Sequence, residues 1–213
     1  MARPAILLDR DGVINENLVD HVKCWSEFRF IRGSLAALRR LSALDVPIVV
    51  ITNQAVISRA LISNAELDEI HRRMAARIQV GGARLDGIFY CPHGAGDGCG
   101  CRKPEPGLLF QAAEALDLDL RRSVFVGDAT TDLVAGERAA CPTILVRTGR
   151  GRETERELRA RASVPMHTAR DLLAAVPVIE QFLGRRSPTV RYRDIQQLPT
   201  ASPPSALVAD GTD

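Results

Sequence analysis

The chain has 213 residues, of which 46% are hydrophobic and 25% charged, enough for one soluble globular domain with a full core and a short appendage. A formal net charge of +2 gives no argument for a nucleic-acid or membrane partner, and no apolar run approaches the length that crosses a bilayer. Met1-Ala2-Arg3-Pro4 leads straight into an apolar stretch without the pattern of a signal peptide, so a cytoplasmic, reducing environment is expected.

Ile6-Leu7-Leu8 predicts a buried strand, and it ends in Asp9-Arg10-Asp11-Gly12, two acids in a glycine-assisted turn. Residues 15–32 read as an irregular segment carrying Trp25, Phe28 and Phe30. From Gly33-Ser34, with Ser34 as the cap, Leu35, Leu38, Leu41 and Leu44 recur at helical spacing. A second buried strand, Pro47 to Gln54, ends in Thr52 and Asn53. Ser63-Asn64-Ala65-Glu66 matches a capping box for a helix through Ile70, Met74 and Ile78 that closes at Gly81-Gly82.

A third strand, Gly87 to Tyr90, runs into a cysteine cluster, after which Pro106 opens another helix. Ser123 to Asp128 is a strand ending in an acid, a short helix follows through Leu133, and Pro142 to Val146 reads as the last clear strand. Residues 152–162 are charged and helix-forming, and 169–183 predict a final amphipathic helix. Strands alternating with helices at this spacing predict an α/β fold: a doubly wound, Rossmann-like parallel sheet with helices on both faces and its chemistry at the strand ends. One domain is expected over 1–184. The prolines beyond Gly184 suggest a loosely attached or flexible tail over 185–213.

Cys91, His93, Cys99 and Cys101 put three thiols and an imidazole within eleven residues, with glycines at 94, 96, 98 and 100 between them. That composition matches a closed tetrahedral Zn²⁺ site in a loop over 91–101. Because the loop continues directly into Arg102-Lys103, zinc there would stiffen the presentation of the lysine. Cys24 and Cys141 read as structural or incidental.

Four strand-end signatures stand in order: Asp9 and Asp11; Thr52 and Asn53; Arg102 and Lys103; Asp128 and Asp132. Over residues 5–150 they resemble the haloacid dehalogenase-like (HAD) phosphatase superfamily. The resemblance implies that Asp9 is the nucleophile, Asp11 the acid and base, Thr52 and Lys103 the phosphoryl-binding groups, and that Asp9, the Asp11 carbonyl, Asp128 and Asp132 serve Mg²⁺. Cys-Pro-His with Cys-x-Cys-Arg-Lys-Pro is similar to the branch holding the heptose bisphosphate phosphatases and the histidinol-phosphate phosphatase domain. Agreement at Thr52-Asn53-Gln54, Arg59 and Lys103-Pro104-x-Pro106-Gly107 favours the heptose side and implies substrate contacts from Asn53, Arg59 and Arg102. Two loops depart from that pattern: Glu16 to Val22, which reads as one residue longer, and Ala55 to Ala60, which replaces two glycines and a serine.

The intervals between the motifs leave no room for a cap domain. The expectation is therefore a Mg²⁺-dependent phosphomonoesterase acting as a monomer on a sugar bisphosphate such as heptose 1,7-bisphosphate, with the 7-phosphate cleaved through an aspartyl-phosphate. The alternatives are histidinol phosphate or another small metabolite and, in a different class, a nucleic-acid end phosphatase using the arginines of 147–161. Acidic Glu16 and Asp20 at the site would favour histidinol phosphate; a second basic pocket at Arg59, Arg102 and Arg147 would favour a bisphosphate.

Overall fold

The computed structural model describes residues 2–160 and 167–184; the segment 185–213, expected as a tail, and the end of the 152–162 helix expectation lie outside the described residues. Six parallel strands form one sheet: β1 (Ile6–Leu8), β2 (Ile48–Asn53), β3 (Gly87–Cys91), β4 (Val124–Gly127), β5 (Thr143–Val146) and β6 (His167–Ala169), in the order β3-β2-β1-β4-β5-β6. Ile6, Leu7 and Leu8 pair with Ile48, Val49 and Val50 on one side and with Val124, Phe125 and Val126 on the other. β1 is thus central and its three residues are fully buried.

Alternation along the strands divides the core between two faces. Ile6, Leu8, Ile48, Val50, Val124 and Val126 pack beneath α1 (Ser34–Leu41), α2 (Asn64–Val80) and α6 (Leu172–Gly184). Leu7, Val49, Ile51 and Phe125 face α3 (Gly107–Leu116) and Ala135 of α4 (Thr130–Arg138). Leu158 of α5 (Gly151–Ala160) joins Leu133 and Leu145 in a smaller cluster. Parallel strands buried on both faces need near-continuous apolar sequence, as Ile-Leu-Leu and Ile-Val-Val-Ile supply.

Local signals hold in most places. Ser63 Oγ accepts from the Glu66 amide while the Glu66 carboxylate accepts from the Ser63 amide, so α2 starts with the expected capping box. The α1 cap is corrected: Gly33, at φ +88°, occupies the cap position, and Ser34 is already helical with its hydroxyl buried. A left-handed cap favours glycine because it has no Cβ. The chain also forms a strand beyond Val146: β6 pairs with β5 where only the start of a helix was expected. Trp25, Phe28 and Phe30 form one aromatic cluster, with Trp25 stacked on Phe28 at 5.1 Å between centroids and Phe30 edge-on to both. Among the described residues no helix is long and apolar enough to cross a membrane.

Candidate active site

With all strands parallel, their carboxyl ends lie along one edge, and the side chains that follow them converge there. A cleft of about 490 Å³ opens at this edge, lined by Asp9, Asp11, Thr52, Asn53, Lys103 and Asp128 at its base. Four motifs far apart in the chain therefore share one cavity.

Lys103 is 3% exposed, and its Nζ lies 2.8 Å from Asp9 Oδ1 and 2.7 Å from Asp132 Oδ1 while donating to the Ile51 carbonyl. Against the cost of burial, Asp132 and Asp9 hold its ammonium well above the usual lysine range, so it is a fixed positive charge. Asn53, expected at the substrate, gives both ends of its amide to the Lys103 backbone: Oδ1 accepts from its N–H and Nδ2 donates to its carbonyl. Asp132 Oδ2 accepts from the amides of Asp128 and Ala129, capping the first turn of α4.

Asp9 and Asp128 stand close together and both are buried. Burial, opposed by Lys103, pushes the Asp9 carboxyl up to about 7; burial, then Asp9 and Asp132, push Asp128 up to about 8. One carboxylate oxygen from each of Asp9, Asp128 and Asp132 falls within a 4.8 Å group. Mutually repelling buried carboxylates of this kind suit a hard divalent cation with oxygen ligands. Asp128 is aimed by the Arg150 amide, 2.7 Å from Oδ2, and by Thr154 Oγ1 on its carbonyl. Gly12 and Gly149, at φ +90° and +53°, press on the same carboxylate: a Cβ on either would come within 2.0 Å of Asp128 Oδ2.

Asp11 differs from its neighbours. Against burial, the Arg10 guanidinium and hydrogen bonds from Asn15 and Gln54 hold its carboxyl below the usual range. Gln54 Nε2 donates both to Asp11 Oδ2 and to Thr52 Oγ1, joining two motif residues. Neither Gln54 nor Arg10 was singled out as a site residue from sequence, although both stand inside the motifs.

The sulfur cluster forms as expected in composition. Cys91 Sγ lies 3.6 Å from Cys99 Sγ and 3.1 Å from Cys101 Sγ, and His93 Nδ1 lies 3.3 Å from Cys101 Sγ. Those separations approach the roughly 3.7 Å edge of a tetrahedron built on a Zn–S distance of about 2.3 Å. Burial, then Cys101, push the Cys91 thiol up to about 12. Arg102 donates to the His93 carbonyl at 2.9 Å and lines the cleft, tying the loop to the mouth.

At the rim the basic residues are distributed differently from the expectation. Arg102 and Arg150 line the cleft; Arg59 is behind it, with Nη1 3.0 Å from His21 Nε2, and His21 faces the cavity. Arg147 is paired with Glu155 at 2.7 Å and is not among the lining residues. Asn17 and His21 line the cleft from the altered loop, whereas Glu16 and Asp20 do not.

Comparison with known proteins follows the same lines. A HAD-hydrolase-like family model matches residues 100–175. The chain is 44% identical over 149 residues to D-glycero-beta-D-manno-heptose-1,7-bisphosphate 7-phosphatase of Bordetella bronchiseptica, covering 70% of this chain and 83% of the relative. It is 40% identical over 182 residues to the enzyme of the same name from Vibrio cholerae, covering 81% and 95%. The crystal structure of D,D-heptose 1,7-bisphosphate phosphatase from B. bronchiseptica, complexed with magnesium and phosphate, superimposes with a TM-score of 0.78 at 39% identity, covering 84% of this chain and 98% of that one.

Proposed function

This chain belongs to the HAD-like phosphatases of the D-glycero-beta-D-manno-heptose-1,7-bisphosphate 7-phosphatase family, and from that premise we propose that it removes the 7-phosphate of a heptose 1,7-bisphosphate at the cleft described above. One observation carries the reading: Lys103 Nζ bridges Asp9 and Asp132 in the cleft that Asp128 and Asp11 also line.

Asp9 attacks phosphorus in line with the leaving oxygen, forming an aspartyl-phosphate as the bond to the sugar oxygen breaks. Asp11 gives that oxygen its proton. A phosphate dianion entering beside Asp11 raises its proton affinity, which readies the carboxyl for this donation. Asp11 then takes a proton from water, whose oxygen attacks the aspartyl-phosphate and releases inorganic phosphate and the free Asp9 carboxylate. Thr52 and Lys103 hold phosphoryl oxygens, and Asn53 keeps Lys103 in place through its backbone. Asp9, the Asp11 carbonyl and Asp128 would hold Mg²⁺, with Asp132 behind them; the ion would supply charge neutralisation between phosphate and carboxylates. Cys91, His93, Cys99 and Cys101 would hold Zn²⁺ in a purely structural role, which fits a reducing cytoplasmic setting.

Arg102, Arg150 and the Arg59-supported His21 at the mouth suit the second phosphate of a bisphosphate. The absence of Glu16 and Asp20 from the lining removes the feature that would favour cationic histidinol phosphate. The nucleic-acid alternative lacks support too, since Arg147 pairs with Glu155 and Arg150 lines the small-molecule cleft. Steady-state hydrolysis of heptose 1,7-bisphosphate and of histidinol phosphate tests the assignment: the bisphosphate is expected to be preferred, and equal or faster turnover of histidinol phosphate would refute it. Asp9→Asn is expected to lower kcat by about 10³-fold or more, since a neutral amide in place of the carboxylate is a very weak nucleophile toward phosphorus.

A further inference from the structure

Arg10 heads the large, fully buried side chains of the protein, 1% exposed although it lies between two cleft carboxylates in sequence. A guanidinium removed from water is costly unless its donors are met. Here Nη2 donates to both oxygens of Asp11, at 3.0 and 2.9 Å, and Nη1 lies 3.0 Å from Nε2 of His71, a buried residue on the inner face of α2, while Nε is buried without a partner among the described residues, so the two Nη contacts alone hold the group. A guanidinium only donates, so Nε2 must be the unprotonated nitrogen and His71 the acceptor. Burial, then Arg10, pull the His71 imidazole down to about 3, consistent with a permanently neutral ring. Asp11 itself reaches the cleft, its side chain 23% exposed. Arg10 therefore grips Asp11 from the interior side, and His71 fixes the guanidinium from a helix 61 residues away in sequence.

We propose that Arg10 and His71 form a buried positioning pair that holds the Asp11 carboxyl where it can hand a proton to the departing alkoxide of the substrate. Asn15 Nδ2, 2.8 Å from Oδ1, and Gln54 Nε2, 2.9 Å from Oδ2, restrain the same carboxyl from its other sides. Neither Arg10 nor His71 needs to touch substrate. The inference rests on the phosphatase reading above, in which Asp11 protonates the leaving oxygen.

The leaving group separates positioning from general structural support. A sugar alkoxide needs the proton as the P–O bond breaks, whereas 4-nitrophenolate departs without one, and kcat/KM reports this first bond-breaking step. Arg10→Met and His71→Phe, each checked for an intact circular-dichroism spectrum and cooperative melt, are compared with wild type on heptose 1,7-bisphosphate and 4-nitrophenyl phosphate. We expect Arg10→Met to lose about 100-fold and His71→Phe about tenfold in kcat/KM on the sugar ester, with about threefold or less on the aryl ester. His71→Gln, whose amide oxygen can accept from Nη1, is expected to recover most of the His71→Phe loss. If Arg10→Met does not fold, the two His71 variants carry the same contrast. Equal losses on both esters, no loss on the sugar ester, or no recovery in His71→Gln overturns the positioning pair. A wild type inactive on both esters would remove the phosphatase reading itself, a result distinct from any of these.

Discussion

At the scale of single residues, the site is built from carboxylates kept in opposite states. Asp11 is held below its usual range by a cation and two amide donors, while burial raises Asp9 to about 7 and burial, then Asp9 and Asp132, raise Asp128 to about 8. Without a cation, a raised carboxyl favours the folded state fully below its unfolded value near 3.8 and loses that contribution as pH rises through the folded value. Metal-free protein should therefore lose stability between about pH 4 and 8 from these two groups. Bound Mg²⁺ opposes the loss because it prefers both carboxylates ionised. The gap in Tm between Mg²⁺-loaded and EDTA-treated protein is expected to be small near pH 5 and to widen by pH 8; a gap that narrows with rising pH would contradict the shared site. Taking the gap at each pH cancels His71, whose depressed value acts in the opposite sense on the acid side.

At the scale of elements, function depends on what enters and leaves each strand. The segment from the end of β3 brings Cys91, His93, Cys99 and Cys101 together and passes directly into Arg102 and Lys103, so a cation bound by these four side chains would also fix the start of the segment that carries Lys103. Cys99→Ser is expected to reduce zinc content well below one per chain and to lower kcat by about tenfold, as losses of metal-supporting groups commonly do. Metal analysis alongside kinetics checks it, and unchanged kcat in a zinc-free variant would detach the loop from catalysis. Asp128 shows the converse case, in which the loop after β5 closes over the end of β4: Thr148 donates to the Gly12 carbonyl at 2.6 Å and the Arg150 amide to Asp128. Arg150 was missed as a cleft residue because its arginine-rich surroundings read as a salt-bridged helix; only the fold brings the beginning of α5 beside β4.

At the scale of the whole molecule, the sheet assembles the cleft from residues 9–150, and α6 serves it from a distance by packing Ala175, Val176 and Ile179 into the core. Deleting residues 185–213 is expected to leave kcat/KM within about twofold, because every lining residue of the cleft and the core elements remain. A large loss on deletion would show that the terminal segment completes the site. By itself, the sequence determined the strand ends, the capping box at Ser63, the thiol and imidazole set, and the order of the four motifs. These are local signals, carried by hydrophobic period and by the chemistry of adjacent side chains. Tertiary structure alone decided that β1 lies between β2 and β4, that Asn53 holds the Lys103 backbone, and that His71 meets Arg10. It also decided β6, whose three residues have too little apolar pattern to announce a strand and pair only because β5 offers an edge. The physical reason is range: periodicity records which face of an element avoids water, whereas contacts between residues 50 or 61 positions apart exist only once the packed sheet has brought those faces together.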